Sequence, residues 1–92
     1  MRLLTVTDSD NIEAIGFKET RTEPVHGDVY GTLGVVFKSS PDTVHLYDDV
    51  SSDTFARLVG GDSVGKTFYE LFRKTKYPFT KSARAAHDDL KK

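Results

Sequence analysis

The residues best placed to do chemistry lie in the octapeptide Gly60-Gly61-Asp62-Ser63-Val64-Gly65-Lys66-Thr67, which satisfies the phosphate-loop spacing Gly-x-x-x-x-Gly-Lys-[Ser/Thr]. Glycines that free the backbone, a hydroxyl at a helix start, unpaired N–H groups and a first-turn lysine together make a seat for an anion. The same residues also make a plain turn, in which Gly60 and Gly61 end one helix and Ser63 caps the next. Nucleotide hydrolysis would further need a preceding strand of a parallel sheet and a magnesium-binding aspartate on another strand. Here the octapeptide joins two helical patterns in a chain of 92 residues, so hydrolysis is set aside. The anion-seat and turn readings both stand.

Charge favours an anionic partner on the same side of the sequence. Residues 1–62 carry 5 basic and 11 acidic side chains, whereas residues 63–86 carry Lys66, Arg73, Lys74, Lys76, Lys81 and Arg84 against Glu70 alone, a net +5. Tyr77 and Phe79 are interleaved with these cations, a mixture that suits phosphates and bases, although a solvated helix face has the same composition. The acidic remainder repels a long polyanion but not a compact ligand with two or three phosphates. Lys66, Arg73 and Lys76 are the expected phosphate contacts, and Tyr47 or Tyr77 the expected stacking ring.

Other chemistries find little support. There is no cysteine, which removes thiol catalysis, disulfides and Cys-based metal sites. His26, His45 and His87 fall in no metal-ligand spacing, so neither metal nor cofactor is expected. His45 and Tyr47 share one strand face and either grip a base or simply pack. No nucleophile elbow or carboxylate pair is present, and an enzyme is not expected. No segment approaches the ~20 apolar residues of a membrane span. The expected setting is the cytoplasm, without a membrane partner.

The elements that must position these groups follow from periodicity. Leu3–Thr7 and Ile12–Phe17 read as two early strands, and Lys18–Asp28, with Pro24 and Gly27, as a long connection. Val29–Phe37 alternates Leu33, Val35 and Phe37 against Thr32, Gly34 and Val36, the clearest strand in the chain. Thr43–Tyr47 continues as its partner, with Val44 and Leu46 opposite Thr43, His45 and Tyr47. Ser51 or Ser52 caps a short helix with Phe55, Leu58 and Val59 on its apolar stripe. A second helix from Ser63 presents Val64, Phe68, Leu71 and Phe72 inward and stops before Pro78. The expected class is α+β: a small antiparallel sheet of three to four strands followed by two short helices. Residues 1–80 make a single domain, and residues 81–92 a C-terminal tail, helical or frayed.

Several segments are similar to the KTSC domain, the module named for the C-terminus of some lysyl-tRNA synthetases. Ser9–Phe17 resembles its opening S-x-x-I-x-x-[IV]-G-[YF], His45-Leu46-Tyr47 a reduced Y-x-Y, and Val50–Leu58 its V-P-x-x-[VT]-[YF]-x-x-[LF] with Ser51 in place of proline. Ser63–Phe68 resembles S-x-G-[KR]-x-F, and Tyr77-Pro78-Phe79 the closing Y-P-[YF]. The match spans Ser9 to Phe79, with a longer Lys18–Asp28 loop and with His45 in place of the first tyrosine. The resemblance implies a nucleotide- or nucleic-acid-binding role without catalysis. Stand-alone members look like small viral oligomers that sequester cyclic nucleotide signals in antiphage defence, including the anti-CBASS sponges, acting in the host cytoplasm. By position, Ser63, Gly65, Lys66 and Thr67 would face phosphate, and His45 and Tyr47 would correspond to the aromatic motif. The leading expectation is therefore a homo-oligomer binding a phosphate-bearing nucleotide, with a cyclic dinucleotide as a twofold-symmetric candidate. An RNA-binding accessory domain and a protein-interaction module are the alternatives.

Overall fold

In the computed structural model, which describes residues 3–7, 9–61 and 63–86, Val29–Phe37 is the middle strand of a five-stranded antiparallel sheet. The strands follow in chain order: β1 (Leu4–Thr5), β2 (Ile12–Thr22), β3 (Val29–Phe37), β4 (Thr43–Ser51) and β5 (Thr80–Ala83). Between β4 and β5 lie α1 (Ser52–Gly60), α2 (Val64–Phe68) and a π-helical turn, Tyr69–Arg73, that continues α2. The α+β class is as expected. The strand count is not, because Thr80–Ala83 pairs with β4 (Thr43 opposite Ala83, Leu46 opposite Thr80) instead of forming a helix or frayed end. With only Ala and polar side chains to bury, this segment gains little as a helix, whereas as a strand its backbone groups find partners on β4. Arg84–Ala86 then closes the described tail as one 3-10 turn, the part of the expectation that holds, and His87 to Lys92 lie outside the described residues.

Alternation sorts the side chains as the sequence requires. Leu33, Val35, Ile12, Ile15, Tyr47 and Val50 face the helices and pack with Leu58, Val64, Phe68 and Phe72 in one buried cluster. Val36, Val44, Ala14 and Leu3 form a smaller cluster on the opposite face. Within α1, Leu58 is buried and Phe55 half-buried, but Val59 points outward at 47% exposure, so the expected stripe is narrower by one residue. Ser51 provides the cap, its Oγ accepting from Thr54 N at 3.2 Å. The second helix ends earlier than Pro78 requires: Lys74 N donates to Tyr69 O at 2.8 Å, and Lys76 turns left-handed (φ 55°). Behind the sheet, Arg84 pairs with Glu13 of β2 and donates to Pro41 O at 3.1 Å, fastening the end of β5.

The connection read as Lys18–Asp28 is much shorter, because β2 runs on to Thr22 and pairs with β3 out to Val29. What allows this is a pair of β-bulges flanking Gly31. On one side Glu19 and Arg21 oppose Gly31 and Tyr30, leaving Thr20 as the extra residue; on the other, Val50 and Tyr47 oppose Gly31 and Leu33. Bulges sharpen the local twist and bend the strand, so the hairpin leaves the plane of the sheet without losing its pairing. The second bulge places Asp49 at φ 56° and leaves Asp48 and Asp49 both exposed.

Candidate functional site

The expected site residues separate into two places. At the α1–α2 junction the octapeptide is the connecting turn. Ser63 Oγ accepts from Lys66 N at 3.3 Å, and Thr67 N donates to Ser63 O at 3.1 Å, so Ser63 serves the backbone that was offered to a phosphate. Gly65 lies against the turn before β2: a Cβ built there would stand 2.8 Å from Ser9 Oγ. That hydroxyl is itself fixed, accepting from Asn11 N at 3.2 Å and Ile12 N at 3.0 Å. Gly65→Ala is accordingly expected to cost about 1 to 2 kcal/mol despite alanine's better helix propensity, measured by denaturant unfolding. Lys66 and Thr67 line a shallow hollow of about 560 Å³ with Arg57 and Glu70.

The second place is a cleft of about 440 Å³ where the front of the sheet meets the π turn. It gathers His45, Tyr47, Arg73 and Tyr77 from the expected set, together with Phe37, Lys38 and Phe79. Lys76, left-handed at the helix end with its N–H donating to Arg73 O at 3.2 Å, lines neither cavity. Lys66, Arg73 and Lys76 thus do not converge on one phosphate, a correction to the reading made from sequence. Arg73 lies seven positions after Lys66, at the end of the wider π turn that begins at Tyr69.

Inside the cleft the rings divide by accessibility. Tyr47 is only 4% exposed and is wedged among Phe68 (5.6 Å), Phe72 (5.2 Å) and Phe79 (5.5 Å), which makes it a floor and not a free stacking surface. Tyr77 packs on Phe72, and its hydroxyl donates to Asp48 O at 2.6 Å and Asp49 O at 3.2 Å. It satisfies the carbonyls freed by the β4 bulge, so its role is to brace the wall. The rings that keep some exposure in the cleft are Phe79 (48% exposed) and the half-buried His45 and Phe37, which lie 5.0 Å from Phe79 and 4.8 Å from His45 respectively. Phe37 and Lys38 were not singled out from sequence, since alternation shows which face Phe37 shares but not that the face lies open there. Phe79 carried a clearer signal, as an aromatic residue among cations.

The electrostatics are positive. Arg73 places its guanidinium 5.8 Å from the Phe37 ring centroid, and Lys81, opposite His45 on β5, faces the same side. Lys38 Nζ donates to Ser9 O at 2.6 Å and fixes the rim. Burial pushes the His45 imidazole below its ordinary value, and the charges of Lys81 and Arg73 push it the same way, against a partly compensating interaction with the Val35 backbone. Burial also raises the Tyr47 phenol, with Arg73 opposing, and raises that of Tyr77, with Asp49 and Asp48 adding to it. Among the described residues no three His, Asp or Glu side chains come together to hold a metal ion, and no helix is long and apolar enough to cross a membrane. In comparisons with known proteins, no family model matches the chain, and no curated protein matches it.

Proposed function

We propose that this protein binds a phosphate-bearing nucleotide without catalysing its turnover, and that the binding site is the aromatic cleft between β4 and the π turn. The observation carrying this reading is the convergence of partly exposed rings (Phe37, His45, Phe79) with the Arg73 guanidinium in one cavity of about 440 Å³. Such rings accept a base by stacking, and a guanidinium pairs with phosphate oxygens. The volume falls within the range typical of small-ligand pockets. The KTSC resemblance supports the same reading. Its opening and S-x-G-[KR] segments touch at Ser9 and Gly65, and its aromatic and Y-P-[YF] segments touch at His45 and Phe79. A cyclic dinucleotide, with two base-phosphate halves, would match two copies of the cleft across a homo-oligomer, and tight binding there would sequester such a signal in the manner of an anti-CBASS-type sponge.

Titration calorimetry against cyclic and linear nucleotides tests this. Saturable heat is expected with at least one of them, and Phe79→Ala should weaken that binding by about 5- to 100-fold, the worth of one base–ring stack. Absence of heat with every nucleotide at tens of micromolar protein would refute the assignment. A steep loss of affinity with added salt, together with a site of several nucleotides, would point to RNA instead.

A further inference from the structure

His45 sits where the chain has concentrated positive charge. Its cross-strand neighbours are Val35 on β3 and Lys81 on β5, so Lys81 rises beside it on the ligand side of the sheet. Arg73 stands over Phe37, whose ring meets the imidazole edge-on at 4.8 Å. The imidazole Nδ1 is buried without a well-formed hydrogen bond, the Val35 backbone giving only partial compensation. Around the rest of the cleft, Lys38 is tied to Ser9, Tyr47 and Tyr77 are neutral phenols, and Asp10 is the one carboxylate among the described lining residues. Two of the forces opposing a charge on His45 are therefore the cations an entering phosphoryl group would neutralise.

We infer that His45 takes up a proton when a phosphorylated nucleotide enters the cleft, so that affinity for such ligands rises as pH falls. The inference rests on the proposed nucleotide site and adds a discrimination to it: the phosphate, not the base, drives the protonation. In the empty cleft burial and two cations hold the imidazole neutral at neutral pH. An anion between Arg73 and Lys81 cancels their repulsion and adds an opposite charge close by, which favours imidazolium. The sign follows from linkage. Above the bound-state pKa His45 is neutral with or without ligand, and affinity is flat. As pH falls through that value the complex gains a proton that the free protein lacks, and affinity rises until the free protein is protonated too. Each unit by which the bound pKa exceeds the free one corresponds to tenfold in affinity.

Proton NMR titration of His45, alone and with millimolar adenosine 5′-monophosphate or adenosine, separates this inference from the reading beneath it. The expected result is a His45 pKa raised by about one unit or more with the monophosphate and by little with adenosine, accompanied by shifts at Phe37 and Phe79. His45→Gln should weaken monophosphate binding through the lost ring contact and, beyond that, abolish the rise in affinity as pH falls from about 8 to about 5.5, leaving only the decline that the monophosphate's own second ionisation at about pH 6 produces. Ring shifts at Phe37 and Phe79 with an unmoved His45 titration would overturn the proton uptake and leave the nucleotide site standing. No perturbation anywhere in the cleft by either compound would overturn both.

Discussion

Gly31→Ala is expected to destabilise the protein by about 3 kcal/mol or more, seen as a collapse of its thermal transition or as failure to accumulate folded protein. The reason is local and backbone-based. A Cβ at position 31 would lie within the van der Waals shell of Lys18 O, 2.8 Å from the Lys18 carbonyl carbon and 3.0 Å from Glu19 Cα. No rotamer change relieves a clash with main chain, and β3 is the middle strand, flanked by bulges in both neighbours at this point. Relief would require β2 and β3 to part where the hairpin bends, at the cost of ladder hydrogen bonds. Gly60→Ala is the control. At the end of α1 its Cβ would meet nothing within 4 Å, so it should be neutral, or stabilising by up to about 1 kcal/mol through the lower entropy of the unfolded chain. A Gly31→Ala protein melting within a few degrees of the parent would show that the double-bulge geometry is wrong.

Arg73→Glu is expected to weaken nucleotide binding by at least about a hundredfold while leaving stability within about 0.5 to 1 kcal/mol of the parent. Arg73 is exposed at the end of the π turn, and its side chain lies over Phe37 at 5.8 Å without a side-chain hydrogen bond among the described residues, so reversal costs the structure little. For a phosphorylated ligand it replaces a guanidinium with a carboxylate at the mouth of the cleft. Lys66→Glu provides the contrast. Lys66 lines the hollow beside Arg57 and Glu70, and its reversal should change affinity less than about threefold if the aromatic cleft holds the ligand, since only screened long-range charge is altered. Calorimetry on the two variants therefore decides between the cavities. A large loss with Lys66→Glu and none with Arg73→Glu would move the site to the α1–α2 junction. The same Arg73→Glu substitution removes one cation that opposes His45 protonation, so the His45 titration in the empty protein should shift upward.

Much of the scaffold was legible because it depends on local rules. The two-residue period of Val29–Phe37 placed Leu33 and Val35 on one face and Val36 on the other, as found. The serines at 51 or 52 and at 63 marked both helix starts through a side-chain oxygen that needs only its own first turn, the structure choosing Ser51 for the first. The shared face of His45 and Tyr47 also followed from alternation. Less was visible where a distant segment decides the outcome. Thr80–Ala83 has no apolar pattern of its own and becomes a strand because β4 presents an unpaired edge. Polar Lys18–Thr22 reads as loop yet stays paired, because the backbone of β3 supplies the partners and Gly31 admits the close approach.

The candidate site divides along the same line. The sequence alone determined that cations and rings concentrate in residues 63–86, since charge and residue type need no fold to be counted. Only the tertiary structure decided which of them meet. Packing buried Tyr47, tied the Tyr77 hydroxyl to the β4 bulge and left Phe37, His45 and Phe79 partly exposed. Arg73 lines the aromatic cleft, Lys66 the hollow at the α1–α2 junction, and Lys76 neither. The physical reason is that convergence depends on the angle at which helix and strand cross. That angle is set by how Phe68 and Phe72 seat against Tyr47, a contact between segments some twenty residues apart that no short spacing encodes.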